Sequence, residues 1–173
     1  MPDVHRAPYK IAVLCYLYDA EGRVLMLHRL KEPNAGMYSP IGGKLETGEG
    51  EGPHDCALRE IREESGITLG HDEVRLSGIV SERAYPSGGS QTHWLIFLFE
   101  VTRPIGHDEI ANYQFNEGAL EWVAAADVVS LPIPDTDRRV MWPHVQSHRG
   151  GFFMVHIDCG VEPFVWRVTE SRR

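Results

Sequence analysis

The chain has 173 residues and a mass of 19.5 kDa, which is the size of one ordinary domain. Apolar residues make up 42% and charged residues 24%, so the composition is that of a globular protein rather than a disordered one. The 25 acids outnumber the 17 lysines and arginines, and the formal net charge is −8. This balance argues against a nucleic-acid polymer or an anionic membrane surface as partner, because both require a basic face. Taken alone, it also disfavours a polyphosphate ligand.

The N-terminal ten residues have no apolar core of the kind that a signal peptide requires. The longest apolar runs, Ile11–Tyr18 and Trp94–Phe99, are too short to span a bilayer. We therefore expect a cytoplasmic protein without a membrane segment. The cysteines have no zinc-site spacing and are expected to be reduced packing residues: Cys15, Cys56 and Cys159.

The N-terminal part of the chain predicts strands separated by turns. Apolar and β-branched residues over Lys10–Asp19 and Arg23–Leu30 indicate two strands, which we expect to pair as a hairpin. Lys31–Met37 is predicted to be a loop because it contains proline, asparagine and glycine. Tyr38–Glu46 is expected to be extended, and the glycine-rich Thr47–Gly52 is predicted to be a flexible loop.

A helix is predicted over Pro53–Ser65. Proline suits the first helical position, Asp55 in the first turn is favoured by the helix dipole, and Gly66 is a natural terminator. The apolar residues that fall on one side at helical spacing are Ala57, Leu58 and Ile61.

The rest of the chain predicts more strands and one further helix, with no repeat or linker. The expected strands are Val74–Tyr85, Gln91–Val101, Ala119–Val123 and a closing hairpin of Gly151–Asp158 with Pro163–Thr169; the expected turn is Pro86–Ser90, the polar loop is Arg103–Asn116, and the helix is Asp135–Gln146, disturbed at Pro143. We therefore expect one domain with a strand-rich sheet and two or three helices.

Three carboxylates share one face of the predicted helix. Glu60, Glu63 and Glu64 are three and four residues apart and fall within an arc of roughly 100°. Such crowding is repulsive, and a hard divalent cation would relieve it, since Mg²⁺ and Mn²⁺ prefer oxygen ligands. The alternative is a solvated acidic face, which is the commoner fate of a run of charges.

The residues that flank these acids form a longer pattern. Gly43, Glu49 and the run from Arg59 to Ile67 together resemble the Nudix box, a glycine followed by a glutamate and then Arg-Glu-apolar-x-Glu-Glu-x-Gly-apolar. The match covers 25 residues, 43–67. One departure stands out, since nine residues separate Glu49 from Arg59 where the family usually has seven. We interpret the extra pair as a longer loop at Gly50–Gly52.

The resemblance implies a fold, an activity and a metal. It implies a single Nudix hydrolase domain over residues 1–173, built as an α/β/α sandwich around a mixed sheet. It further implies that Mg²⁺, with Mn²⁺ as a substitute, is held by the three helix glutamates and a backbone carbonyl at Gly42 or Gly43. Arg59 would pair with Glu49 to brace the loop. Glu117 is then the candidate for the base that activates water or for a further metal contact, although it could be an ordinary residue at a strand edge.

Basic and aromatic residues are the candidates for binding substrate. Arg29, at the end of the second strand, matches a phosphate-binding position of the family, and Lys44 follows the double glycine. Met141-Trp142-Pro143-His144 is similar to a segment of the mammalian oxidised-purine nucleoside triphosphatase, so Trp142 could stack on a base, or could be a buried structural residue. His144 stands where that relative has an acid, and Ser39 where it has a base-reading asparagine.

The leading hypothesis is a Mg²⁺-dependent pyrophosphohydrolase that cleaves a nucleoside triphosphate, possibly an oxidised one, to a mononucleotide and pyrophosphate. Within the fold, the alternatives are a nucleotide sugar, a dinucleoside polyphosphate or a dinucleotide such as ADP-ribose, because the box handles only the diphosphate. A non-catalytic nucleotide-binding regulator and an isomerase of prenyl diphosphates are the rivals from other classes. The expected partner is a small nucleotide; the sequence does not predict an oligomeric state.

Overall fold

The computed structural model describes residues 9–32, 34–84 and 92–173, and within these ranges it contains a strand-rich α/β fold. The predicted turn at Pro86–Ser90 and the adjoining ends of two predicted strands lie outside the described residues. The strands are β1 Tyr9–Tyr16, β2 Val24–Arg29, β3 Tyr38–Lys44, β4 Val74–Arg83, β5 His93–Val101, β6 Gln114–Phe115, β7 Gly118–Val123, β8 Phe152–Asp158 and β9 Val165–Arg172. The α-helices are α1 Pro53–Ser65 and α2 Trp142–Ser147.

All of these strands join one mixed sheet, in the order β6-β7-β2-β3-β1-β5-β4-β8-β9. Neighbouring strands are antiparallel except for β1 with β5 and β4 with β8, which are parallel. The closing hairpin of β8 and β9 is confirmed. The predicted α/β class with a mixed sheet is confirmed as well.

The expected hairpin between the first two strands is wrong, because β3 lies between them. The chain does turn at Asp19, whose side chain accepts hydrogen bonds from the backbone N–H groups of Glu21 and Arg23. Beyond an isolated bridge between Tyr18 and Val24, however, the two strands diverge. A turn signal is local, whereas the strand partner is chosen by packing with residues far away in sequence.

The strand β3 is shared between two partners. Its first part, Tyr38 to Pro40, pairs with β2, and its second part, from Ile41 to Lys44, pairs with β1. Gly42 lies at this crossing, where an added Cβ would be only 2.1 Å from the carbonyl oxygen of Val13. The double glycine therefore permits a backbone contact that holds the following residues against α1.

A helix packs on each face of the sheet. On one face α1 buries Cys56, Ala57 and Ile61 against β1 and β3. The opposite face is covered by the segment that ends in α2, which buries Trp142 and Val145. Burial of these two apolar layers is the main stabilising contribution to the fold.

The second predicted helix is present but irregular. Residues 135–147 are helical, with a π-helical turn over Asp137–Met141 directly before Pro143. Proline has no N–H to donate, and its ring crowds the carbonyl four residues earlier, so the preceding turn widens. The predicted disturbance at Pro143 is confirmed.

The cysteines Cys15, Cys56 and Cys159 are free, as expected. In the described ranges no helix combines the length and the apolar character needed to cross a bilayer.

Candidate active site

The helix α1 begins and ends where the sequence predicts, and its end is fixed by a glycine. Gly66 has a left-handed φ of 81°, and its N–H donates to the carbonyl of Arg62. A Cβ at Gly66 would lie 2.3 Å from that of Ala111, so no larger residue fits. The helix therefore keeps one fixed register against β3.

Two of the three helix glutamates point at the double glycine of β3. The side chain of Glu60 is 12% exposed, and Glu64 is 8% exposed and accepts the N–H of Gly42 at 3.3 Å. An added Cβ at Gly43 would lie 2.2 Å from Oε1 of Glu60, so any larger residue here would displace that carboxylate. Glu63 is more open, with 56% of its side chain exposed.

Burial and neighbouring carboxylates raise the pKa values of Glu60 and Glu64. Burial, followed by the charge of Glu60, raises the pKa of Glu64 to about 8, and Glu117 adds to the effect. Burial also raises the pKa of Glu60, although Arg59 opposes this. Buried oxygen ligands that repel one another fit a hard divalent cation, which would favour their ionised form.

Arg59 binds Glu51 rather than Glu49, so the expected partner was wrong. Its Nε lies 2.7 Å from Oε1 of Glu51, and its Nη2 lies 3.0 Å from Oε2, which is a bidentate pair. The hydrogen bond from Arg59 lowers the pKa of Glu51 to about 2. Glu49 is exposed in a short 3-10 turn, Thr47–Glu49.

The spacing that is usual in the Nudix box explains why Arg59 pairs with Glu51 and not with Glu49. Seven residues separate Glu51 from Arg59, which is the usual number, so the two extra residues lie between Gly43 and Glu51. Counting back from the arginine would have found the right glutamate. Arg59 also donates to Oε1 of Glu60 at 2.9 Å and to the carbonyl oxygen of Lys44 at 3.2 Å. It therefore connects loop, strand and helix.

Two further predicted residues lie near the glutamates. Arg29 ends β2 beside Gly118 of β7, and its charge lowers the pKa of Glu64. Glu117 directly precedes β7, its carbonyl accepts the N–H of Leu30, and its charge acts on both Glu60 and Glu64. The structure thus brings together an arginine and four carboxylates from three separate elements.

Comparison with known proteins decides the family. The model of the NUDIX domain matches residues 8–142. The chain belongs to the Nudix family. The uncharacterised Nudix hydrolase YvcI of Bacillus subtilis is 28% identical over 123 residues, which are 71% of this chain and 72% of the relative. A putative 8-oxo-dGTP diphosphatase 3 of Mycobacterium tuberculosis is 30% identical over 66% of this chain and 50% of its own length.

A solved structure extends the likeness over nearly the whole chain. The MutT protein of Bacillus halodurans has a TM-score of 0.73 and 28% identity, and covers 94% of this chain and 99% of its own. The predicted Nudix-type fold is thereby confirmed. Together with the Nudix hydrolase relatives, these matches make the protein a pyrophosphohydrolase.

The Trp-Pro segment of this Nudix protein does not join the acidic cluster. Trp142 is 5% exposed, its Nε1 donates to the carbonyl of Ala125, and its ring packs near that of Tyr16. The cavity that it lines has a volume of about 10 Å³, room for at most one water molecule. Trp142 is therefore buried, as the structural alternative expects, and stacking on a base is not supported.

His144 also lies on the face opposite α1. Its Nδ1 is 2.7 Å from the carbonyl oxygen of Val140, and its ring packs near those of His148 and Phe153. It is therefore a packing residue, and its expected role in substrate binding is not supported. Ser39 lies in β3 opposite Leu27, and Lys44 is exposed at the end of that strand.

Two further groups of carboxylates come together in the fold without a signal in the sequence. Oxygen and nitrogen atoms of Asp19, Glu21 and His107 lie within 4.8 Å of one another, but Nε of Arg23 is 2.6 Å from Asp19 and already neutralises it. Burial opposes ionisation of Asp19, yet hydrogen bonds from His107 and Arg23 lower its pKa to about 2. The residues are close in sequence except for His107, so spacing gave no signal.

The second cluster lies under the π-helical turn. Asp137 lines the small cavity beside Trp142, and burial, followed by the charge of Glu82, raises its pKa to about 7. Burial also raises the pKa of Glu82. Their sequence separation of 55 residues hides this proximity.

Proposed function

We propose that this protein is a Mg²⁺-dependent hydrolase that cleaves a nucleoside triphosphate to a mononucleotide and pyrophosphate. The observation that carries the proposal is the convergence of Glu60, Glu63, Glu64 and Glu117 beside Arg29. The mycobacterial relative, named a putative 8-oxo-dGTP diphosphatase, supports an oxidised purine nucleotide as the first substrate to test.

The glutamates and the arginine of the site would have complementary roles in binding. Glu60, Glu63 and Glu64 would hold the cation, together with a backbone carbonyl at Gly42 or Gly43. When bound, the cation would neutralise the diphosphate and activate or orient the attacking water. Arg29 approaches from β2 and would bind phosphate oxygens, with Ser39 of β3 as a further contact. Lys44 follows Gly43, which faces Glu60, so the Lys44 side chain points to the other face of β3 and is not part of this set.

Arg59 and Glu51 would set the geometry rather than take part in the reaction. Arg59 fixes Glu60 through its Nη1 and is itself fixed by Glu51. Glu117 sits across from the helix, where it could accept a proton from the attacking water or contact the cation. Its place opposite the helix follows from its position directly before β7.

The decisive experiment replaces two of the helix carboxylates. The double variant Glu63→Gln, Glu64→Gln should lose Mg²⁺-dependent turnover by at least about a thousandfold, because the cation loses two charged ligands. Glu162→Gln with Glu170→Gln is the matched control, since it removes the same charge from the β8–β9 hairpin, where Glu162 is exposed in the turn and Glu170 is half-buried in β9. Circular dichroism would show that both variants fold. If the Glu63, Glu64 double variant keeps its Mg²⁺-dependent turnover, the proposal is refuted.

A substrate panel then separates the alternatives. Nucleoside triphosphates, including 8-oxo-dGTP, are compared with ADP-ribose, nucleotide sugars and dinucleoside polyphosphates, and orthophosphate is measured with and without added pyrophosphatase. Signal that appears only with pyrophosphatase shows cleavage of a triphosphate to pyrophosphate. Turnover of ADP-ribose alone would show that the protein is a hydrolase with a different substrate from the one proposed. Tight nucleotide binding without any turnover would favour a regulator.

A further inference from the structure

The strand β9 lies at one edge of the sheet, and on its outer side no strand of the described residues pairs with it. It has eight residues, whereas β6 at the opposite edge has only two. A free edge presents unpaired N–H and C=O groups, and proteins commonly protect it with lysine or proline or by keeping the strand short. The strand β9 is long and contains neither residue, so its edge is open to pairing with a further strand.

Exposed apolar side chains concentrate on this edge. Val165, Trp166 and Val168 are 54%, 40% and 43% exposed. Trp166 lies opposite Ile157 on β8, and Val168 lies opposite Val155. Both of these partners on β8 are fully buried in the apolar layer that α2 covers. This layer therefore continues to the edge of the sheet and is open to solvent there, which is typical of an interaction surface.

A β-bulge decides which side chains of β9 share a face. The pairing with β8 shifts by one residue between Val168 and Glu170, so Thr169 is the extra residue. Along a regular strand, residues three apart point to opposite faces. Across the bulge, however, Arg167 and Glu170 point to the same face, because their partners on β8 are two residues apart.

The bulge makes β9 complementary to itself. If two copies pair antiparallel about a two-fold axis at the bulge, Arg167 of each copy lies opposite Glu170 of the other. The flanking pairs also share a face, and they are Val165 with Arg172 and Trp166 with Ser171. A slip of one residue would oppose side chains that point to different faces. A slip of two residues towards the C-terminus would instead oppose Arg167 and Arg172, which repel each other.

The charges on this edge are available for such pairs. Arg167 is exposed and makes no ion pair with a residue of the described ranges. Glu170 accepts a hydrogen bond from Arg172 of its own chain at 2.7 Å, through Oε1. Directly opposite residues of antiparallel strands have Cβ atoms about 4.5–5.5 Å apart, which is close enough for an ion pair. The two-fold axis would produce this pair twice.

We propose that the protein forms a dimer in which the β9 strands of two copies pair antiparallel, with Arg167 opposite Glu170 on both sides of the axis. The two sheets become one continuous sheet through backbone hydrogen bonds of the free edges. The open apolar layers of the two copies meet around Val168. A single pair of strands makes a small interface, so the dissociation constant is expected to lie in the micromolar range.

The first test exchanges the charges. Sedimentation equilibrium over a series of protein concentrations measures the dissociation constant. Arg167→Glu turns both ion pairs into pairs of like charge and should raise this constant at least about tenfold. Adding Glu170→Arg to that variant reverses both partners and should restore most of the affinity. Lys31→Glu reverses a charge in the exposed loop after β2 and should have no effect.

The second test addresses the apolar part of the edge. Val168→Lys places two like charges near the axis and should also raise the dissociation constant at least about tenfold. Val129→Lys is the matched control, because Val129 is 40% exposed in the segment 125–130 and lies away from β9. Hydrogen exchange of a peptide that covers β9 should slow as the wild-type concentration rises into the range of the dimer. Circular dichroism would show that the variants fold.

Three outcomes would overturn the proposal. The first is a wild-type chain that stays monomeric at millimolar concentration. The second is a dimer whose dissociation constant is the same in Arg167→Glu as in the wild type. The third is a charge-exchanged double variant that dimerises no better than Arg167→Glu alone, since the register requires this pair.

The dimer is independent of the proposed function. In the order of the sheet, β5, β4 and β8 separate β9 from β1, and the glutamates of α1 face the double glycine of β3. Turnover per chain should therefore be the same in Arg167→Glu as in the wild type. Loss of turnover in the Glu63, Glu64 double variant leaves the test of the dimer unchanged, and a monomeric protein leaves the proposed function unchanged.

Discussion

The two helical layers of this protein contrast in what their residues do. On one face, α1 carries an arginine and three glutamates above a double glycine. On the other face, the segment over residues 135–147 buries Trp142 and holds histidines by backbone hydrogen bonds. Both segments looked functional in sequence. The structure gathers the charged residues of α1 beside β3, whereas it buries Trp142 and packs the histidines against the other face of the sheet.

The α1 face and the α2 face also differ in how their residues affect stability. The α1 face concentrates carboxylates, and burial together with the charges of Glu60 and Glu117 raises the pKa of Glu64. Their mutual repulsion costs stability unless a cation binds. The α2 face is filled by apolar contacts around Phe153 and Trp142, with little space between them. We therefore expect substitutions on the first face to change activity and those on the second to change stability.

The largest effect is expected from Trp142→Ala. Truncating this buried ring should lower the free energy of unfolding by about 3–5 kcal/mol, with turnover per folded molecule kept. Trp166→Ala is the matched control, because Trp166 is 40% exposed on β9 and should cost about 1 kcal/mol or less. Urea denaturation and turnover below the transition are the measurements. Loss of turnover in folded Trp142→Ala would place substrate on the α2 face and break the contrast.

Gly43→Ala tests the face of the sheet that α1 covers. Its Cβ would collide with the Glu60 carboxylate, which must move away, so turnover should fall about 10- to 100-fold with a smaller loss of stability. At Gly48 an added Cβ meets nothing within 4 Å, so Gly48→Ala should behave like the wild type. Steady-state kinetics of both variants at saturating Mg²⁺ would show the difference. Equal rates would mean that the position of Glu60 does not matter.

Glu51→Gln and Glu49→Gln sharpen the assignment of the arginine partner. The first should lower the free energy of unfolding by about 1–3 kcal/mol at pH 7, because it removes the charge from a mostly buried bidentate pair. The second should be neutral. The pKa of Glu51 is lowered in the folded state, so its contribution is present above its ordinary pKa of 4.5 and is lost as the pH falls from there towards 2. Chemical denaturation of the two variants at pH 7 and pH 3 checks both statements.

The prediction for Asp137 is a pH dependence of stability. Its pKa rises from 3.8 to about 7 on folding, so between these values the folded state holds a proton that the unfolded state has lost. Stability should therefore fall as the pH rises from about 4 to 7 and change no further from this group above that. Asp137→Asn should remove this part of the slope and be the more stable protein at pH 8. An unchanged slope would show that the carboxyl is solvated.

Much of the candidate site could be predicted from sequence because it lies on one helix. The 3.6-residue period places Glu60, Glu63 and Glu64 on one face whatever the rest of the fold does, and Pro53 and Gly66 set the ends of α1. The placement of Glu117 and Arg29 came from resemblance rather than from periodicity. The structure puts both near the glutamates because β2 and β7 are neighbours in the sheet.

What the sequence could not determine depended on contacts between distant segments. Insertion of β3 between β1 and β2, the pairing of Arg59 with Glu51 across a loop of altered length, and the burial of Trp142 are all decided by packing. The same holds for the exposure of β9, which follows from its place at the edge of the sheet. Local patterns fix helices, turns and charge spacing because their interactions act over a few residues. The choice of strand partner and the burial of a side chain depend on the apolar surface that the whole chain can remove from water, and only the tertiary structure decides them.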